Sequence, residues 1–266
     1  MRAMHYRNYM RAAKWLLFYF GLKYIRIKTM LASYSTKLKG RKEIARATMA
    51  FYFEKPKGFN FVAGQHITMT QTATNDNKRV FCMASAPHEK DLIFAMRMRD
   101  SEFKNSLKVM PIGTGVEITE ARGLFTLHND ASRPAAFLVG GIGITPFRSM
   151  ALQAAYEKLP HKIFMFYSNY TLEDAAFLTE LRELESKNPN YKFIATMTEL
   201  DSRFRGNDNY ETSYINKAML EKYIEDVKLP VYYIAGPERF VGAMRNMLQD
   251  LNINANNIKT DEFEGY

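Results

Sequence analysis

Gly140-Gly141-Ile142-Gly143-Ile144-Thr145-Pro146 is the stretch of this chain whose residue types and spacing speak most directly of chemistry. An apolar run, Ala135 to Val139, precedes it and reads as a buried strand. Phe147 to Leu159 follows, with apolar residues at helical spacing. Strand, glycine turn and helix start make a phosphate cradle. Glycines let the backbone approach an anion, and the free N–H groups and dipole of a helix start favour negative charge. Thr145 suits the N-cap, and Pro146 suits the first helical position, where a missing donor costs nothing. The pattern is not the usual dinucleotide fingerprint. G-x-G-x-x-G would place its third glycine at Pro146, and no acidic residue stands at the expected distance on a second strand. Two further segments, Arg79 to Pro87 and Val231 to Tyr266, give the turn its meaning.

Those segments need elements to position them, and the period of the sequence changes midway. From Tyr34 to Leu127 the strand signals are short: Ile44 to Phe53, His66 to Thr72, Arg79 to Ala84, Leu92 to Arg99 and Gly115 to Glu120. With one helical patch, Ser101 to Met110, they predict a small antiparallel β-barrel. From Ala135 strands and helices alternate. Strand 135–139 leads to helix 147–159, strand 162–167 to helix 172–185, and strand 191–197 to a polar loop, 199–210. Helix 216–224, strand 231–234, helix 238–251 and a last strand, 258–263, complete the series. This alternation predicts a parallel-sheet α/β nucleotide-binding domain with helices on both faces. The expected division is an extension over 1–36, the barrel over 37–130 and the α/β domain over 131–266.

Composition narrows the function classes. Residues 1–42 hold eleven Lys/Arg and no acid, against 37 basic and 28 acidic residues in the whole chain, so the remaining body is nearly neutral. A nucleic-acid-binding body would carry a basic face of its own, so none is expected. The extension joins its charge to Trp15-Leu16-Leu17-Phe18-Tyr19-Phe20-Gly21-Leu22, a run too short to span a bilayer. A basic aromatic helix over residues 1–28, lying on the inner face of an anionic membrane, is the expectation for an otherwise cytoplasmic monomer. The single cysteine, Cys82, excludes an internal disulfide and a four-cysteine iron–sulfur cluster. Five scattered histidines show no metal-ligand spacing, and no metal is expected.

The chain resembles the ferredoxin–NADP reductase family over about residues 37–266. Arg79-Val80-Phe81-Cys82-Met83-Ala84-Ser85 is similar to its R-x-Y-S/T flavin motif. Gly140 to Pro146 looks like its G-G-x-G-x-x-P pyrophosphate loop. Ala235-Gly236-Pro237-Glu238 is similar to its C-G-P-x motif, and Phe61 to Gln65 to its P-G-Q segment. The resemblance implies FAD rather than FMN, with Arg79 on the diphosphate, Phe81 packed on the flavin and Cys82 near the flavin nitrogen N5. Lys104 and Asn105, where the family often has G-x-x-S, would add phosphate contacts, and Met96 and Arg97 would line the flavin. Gly140, Gly141, Gly143, Thr145 and Pro146 would cradle the pyrophosphate of NADH or NADPH. Ser168 would sit where coenzyme choice is read, with Arg203 and Arg205 in the following loop, and Gly236 and Pro237 would border the nicotinamide. At the C-terminus Tyr266 or Phe263 would stack on the flavin, with Glu262 or Glu264 as the nearby carboxylate.

The implied activity is a flavin-dependent NAD(P)H oxidoreductase. Hydride would pass from the nicotinamide to FAD, and electrons to an external acceptor, such as a ferredoxin-like protein, an oxygenase component or a small molecule. Phe81, Cys82, Glu120 and Ala235 depart from the family's residues. They support the alternative, a non-catalytic interaction subunit tethered to a membrane by its basic N-terminus.

Overall fold

The computed structural model describes residues 33–71, 77–199 and 210–263. Its first sheet is antiparallel. It contains β1 (Ser33–Ala45), β2 (Thr48–Glu54), β3 (His66–Thr70), β4 (Lys78–Cys82), β5 (Asp91–Arg97) and β6 (Gly115–Thr119), in the order β4-β3-β6-β1-β2-β5. The sheet curls like a barrel, but β4 and β5 do not pair, so it stays open. Its inner face is aromatic and aliphatic: Leu38, Phe51, Phe53, Ile67, Phe94 and Phe103 are all essentially buried. Helix α1 (Glu102–Val109) contributes Phe103 and Leu107 to that core, and the Ser101 hydroxyl caps it by accepting from the Lys104 N–H.

Two sequence expectations fail here. The segment Ile44 to Phe53 is a hairpin and not one strand. Arg46 and Ala47 form its two-residue turn, with Ala47 at φ +51°. An Arg-Ala pair carries none of the Gly or Asn signals that mark such turns. The other is the start of the barrel at residue 37, since β1 begins at Ser33 and pairs Ser33 with Thr119. In β1 the inward Thr36 and Leu38 alternate with outward Lys37 and Lys39, so the charge run is the solvated face of a strand.

The second sheet is parallel: β7 (Ala135–Gly140), β8 (Ile163–Asn169), β9 (Tyr191–Met197), β10 (Tyr210–Glu211), β11 (Val231–Pro237) and β12 (Ile258–Phe263), ordered β10-β9-β8-β7-β11-β12. Alternate residues of β7 enter different cores. Phe137 and Val139 pack with α2 (Ile144–Tyr156) and α3 (Leu178–Lys187), while Ala136 and Leu138 pack with α4 (Lys217–Tyr223) and α5 (Glu238–Asp250). A strand buried on both faces reads as an unbroken apolar run, as Ala135 to Val139 does.

Local details also differ from expectation. The glycine turn is one 3-10 turn, Gly141–Gly143, and α2 starts at Ile144. Thr145 and Pro146 therefore lie inside the first helical turn, and no side chain caps it. The helix expected over 172–185 is two pieces, a 3-10 turn at Leu172–Asp174 and then α3, separated by Phe177 at φ +58°. The first core includes Ala50, Ile93 and Ala95 of the antiparallel sheet as well as Phe137 and Tyr167 of the parallel one and Phe147 of α2, so one apolar core runs through the junction.

Candidate functional site

In the parallel sheet, β8 and β9 lie on one side of β7, and β11 and β12 on the other. The chain order reverses between β7 and β11, and a crevice outside the carboxyl ends of the strands opens at such a point. Both glycine motifs fall there. Gly140 and the 3-10 turn end β7, and Gly236-Pro237 ends β11. Their approach is very close: a Cβ added at Gly143 would stand 2.5 Å from the Ala235 carbonyl oxygen and 2.7 Å from the Gly236 nitrogen. Gly143 itself has φ −57°, open to any residue, so its glycine serves space and not backbone conformation. Gly141 is the reverse case, with φ +52° and nothing within 4 Å of an added Cβ. It faces the open side of the turn.

Further along this edge, Ser168 pairs with Gly140, and Asn169 ends β8. The buried Asn169 amide makes no well-formed hydrogen bond, and neither does the Thr198 hydroxyl after β9. Buried polar groups are seldom left unpaired without a ligand or water to meet them. A nucleotide at the crevice fits these donors and acceptors.

On the antiparallel sheet, Arg79 lies over the Phe103 ring at 5.6 Å and donates to the Lys78 carbonyl at 2.8 Å. Lys104, in the first turn of α1, donates to the Arg97 carbonyl at 3.0 Å. Burial, and then repulsion from Arg99 and Arg79, lower the pKa of Lys104. Three cations gathered at a helix start suit a diphosphate, which would relieve their repulsion. Arg99 was not among the residues singled out from sequence, because nothing local separates it from the other surface arginines. Asn105 is exposed and bonds Asp100 at 3.0 Å.

Phe81 packs against Phe94 and Phe103, with ring centroids 6.0 and 5.8 Å away. Met96 belongs to the barrel core and is 4% exposed. Arg97 is ion-paired at 2.8 Å with the buried Asp174. Asp174 also takes Arg46 from the β1–β2 turn, which makes it a clasp between the two sheets. Burial alone would raise the Asp174 pKa, but the hydrogen bonds from Arg46, Thr171 and Arg97 outweigh it and the net shift is downward.

The two sheets also meet at the end of the flavin-type motif. The Cys82 thiol is buried and donates to Asp261 Oδ2 at 3.1 Å. Asp261 stands on β12, beside Ala235. Burial, followed by the Asp261 charge and hydrogen bond, pushes the thiol well up. Burial also raises the Asp261 carboxyl, partly offset by the thiol and by His66. A cavity of about 350 Å³ adjoins this pair, lined by His66, Gly123, Leu124, Phe125, Lys259, Thr260 and Asp261. Asp261 and His66, like Arg99, are residues of the candidate site that sequence reasoning missed. A C-terminal carboxylate was expected, but its register was open between Glu262 and Glu264. The Glu262 side chain, Glu264, Tyr266, Arg203 and Arg205 lie outside the described residues, and the Phe263 side chain does too.

Residues 137–246 match the family described as Oxidoreductase NAD-binding domain. Among curated proteins, the chain is similar to a component of the Na(+)-translocating NADH-quinone reductase of Methylococcus capsulatus. The two are 27% identical over 203 residues, which cover 70% of this chain and 49% of the other. It is also similar to a flavohemoprotein from Oceanobacillus iheyensis, 25% identical over 240 residues, covering 85% and 57%. The chain spans about half the length of these relatives. Among solved structures, it superposes on a ferredoxin–NADP+ reductase from Neisseria gonorrhoeae with bound FAD and NADP. The TM-score is 0.71 at 18% identity, covering 86% of this chain and 98% of that one. A flavohemoglobin from Malassezia yamatoensis with bound FAD and heme gives 0.74 at 20% identity, covering 88% and 60%. The chain has the fold of these reductases, and residues 137–246 within it match the oxidoreductase NAD-binding domain.

Proposed function

We propose that this chain is a flavin-dependent NAD(P)H oxidoreductase, holding FAD on the antiparallel sheet and the nicotinamide coenzyme at the Gly140–Gly143 crevice. The observation that carries the reading is the 3.1 Å contact of Cys82 with Asp261. It ties the end of the arginine-bearing strand to the strand beside Gly236-Pro237, so two phosphate-binding geometries open onto one junction.

Arg79, Arg99 and Lys104 would neutralise the flavin diphosphate, with Phe81 supporting the ring system. The N–H groups of the glycine turn and the start of α2 would receive the coenzyme pyrophosphate. Gly236 and Pro237, close-packed on the turn, would set the nicotinamide against the flavin. The bound flavin supplies hydride acceptance and onward release of electrons. Asp261 and Cys82 hold a proton at the junction, and the shared core behind them excludes water. A quinone and a haem protein are the acceptor candidates suggested by the names of the relatives.

Residues 1–28 would bring the monomer to an anionic membrane surface. Among the described residues no helix is long and apolar enough to cross a membrane. Vesicle sedimentation of the full chain against a variant starting at Met30 tests this contact, and equal partitioning would refute it. For the central reading, Arg79→Ala should lose most of its bound flavin on gel filtration. Full retention would show that Arg79 does not hold the cofactor.

A further inference from the structure

We propose that Ser149 is a positioning residue: its hydroxyl locks the helix that follows the pyrophosphate turn onto the end of the Arg79 motif, and so sets one cofactor against the other. The role rests on the reductase reading above. Ser149 lies in the second turn of α2, and α2 starts at Ile144, directly after the glycine turn. At 1.5 Å per residue, Ser149 stands about 7.5 Å from that start along the helix axis. Ser85 closes the motif segment that begins at Arg79 and contains Cys82. The Ser149 hydroxyl donates to the Ser85 carbonyl at 2.7 Å, and both residues are fully buried.

The contact is built from both sides. A serine inside a helix ordinarily points to water or bonds back to the carbonyl four residues earlier. This one reaches out of its helix to the other sheet. Its acceptor is itself held: Ser85 Oγ accepts from the Ile93 N–H at 3.1 Å, and the Ala84 N–H donates to the Ile93 carbonyl at 2.8 Å. β5 thus anchors the segment that α2 grips. The neighbouring Arg148 donates to the Ala84 carbonyl at 2.6 Å, so two successive carbonyls meet two successive side chains of α2. Arg148 also serves Glu89 and Glu180, and its loss disturbs several contacts at once. Among the described residues, the Ser149 hydroxyl has the Ser85 carbonyl as its one partner. Ser149 is therefore where the link can be cut cleanly.

Hydride transfer requires the reacting atoms to approach within about 3–3.5 Å with their orbitals aligned. The two cofactors would stand on different sheets, so their separation is set where the sheets meet. The Asp174 clasp ties the sheets at a side chain, Arg46, that is mostly exposed. The Ser149 contact is buried, and it belongs to the helix whose start would receive the coenzyme pyrophosphate. A helix turn and a hydrogen-bonded extended segment deform little, so the hydroxyl carries the position of the glycine turn to the end of the flavin motif.

Ser149→Ala removes one oxygen, keeps the Cβ and leaves the Ser85 carbonyl unpaired. In the FAD-loaded protein, flavin reduction by saturating NADH in stopped flow should slow about 100-fold. The dissociation constant for NAD+ should stay within about twofold of wild type, because the pyrophosphate turn is intact. The long-wavelength absorbance that appears when NAD+ meets the reduced flavin reports ring overlap, and it should weaken. Ala154→Gly is the control for stability alone. Ala154 is 1% exposed in the same helix and packs in the same core. Its loss costs helix propensity and leaves a void, so it should lower the melting temperature at least as far as Ser149→Ala does. It should leave the reduction rate and the absorbance near wild type. A wild-type rate and absorbance in Ser149→Ala, matching losses in Ala154→Gly, or a Ser149→Ala defect that lies only in NAD+ affinity would overturn the proposal. Wild-type protein that takes up no flavin would instead overturn the reductase reading, and this one with it.

Discussion

Gly143→Ala isolates what the crevice demands of the chain. The wild-type backbone there is ordinary right-handed, φ −57° and ψ −5°, so alanine meets no conformational penalty. Relative to glycine it would gain helix propensity at the start of α2. The obstacle is steric and consists entirely of main chain: the Ala235 carbonyl oxygen at 2.5 Å, its carbon at 2.6 Å and the Gly236 nitrogen at 2.7 Å. Ordinary contact requires about 3.4 Å or more, so β7 and β11 must part by roughly an ångström. Overpacking of this kind costs about 1–3 kcal/mol. For a chain of this size that is a melting-temperature loss of roughly 2–12 °C. The same displacement separates the pyrophosphate turn from Gly236-Pro237, and an ångström of misplacement costs about 100-fold in rate. Differential scanning fluorimetry and stopped-flow flavin reduction by NADH read the two effects. Wild-type melting together with a wild-type reduction rate would refute the close-approach argument.

Three other outcomes follow from the contacts between the sheets. Asp174→Asn should destabilise the protein by about 2–3 kcal/mol, below the range for a fully buried pair because Arg46 is 59% exposed. Its folded pKa is depressed, so the clasp's contribution is present above the unfolded value of about 3.9 and lost as pH falls through the folded one. A wild-type acid-denaturation midpoint in the variant would contradict this. Arg148 is 4% exposed and held by Glu89, Glu180 and the Ala84 carbonyl, so Arg148→Ala should cost about 3 kcal/mol in urea unfolding. Burial lowers the His128 pKa, with His161, Lys259 and Arg133 adding to it and the Arg133 carbonyl opposing. The native state thus disfavours the charged ring, and stability should fall as pH drops below about 6.5. In His128→Asn that part of the slope should flatten, and an unchanged slope would exclude His128 as its source.

How much of this was legible beforehand depended on whether a feature was local. Strand 191–197 could be read from sequence because its mostly apolar run is bounded by polar turns. The glycine turn was legible as a phosphate geometry, but not its 3-10 form, since Thr145 and Pro146 look like cap and first position in any local reading. The Ile44 to Phe53 hairpin stayed hidden because Ala47 adopts positive φ without a glycine or asparagine to mark it. Asp174 and Asp261 act through partners far away in the chain. Asp174 lies 77 residues from Arg97, and Asp261 lies 179 from Cys82. No spacing rule connects such pairs; the junction of two sheets does.

The central claim is tested most directly by purifying the full chain, reconstituting it with FAD and recording its visible spectrum before and after anaerobic addition of NADH or NADPH. A yellow protein that bleaches with at least one coenzyme and recovers its colour with ferricyanide is the predicted result. A colourless protein that takes up neither FAD nor FMN, and stays inert with both coenzymes, would contradict it.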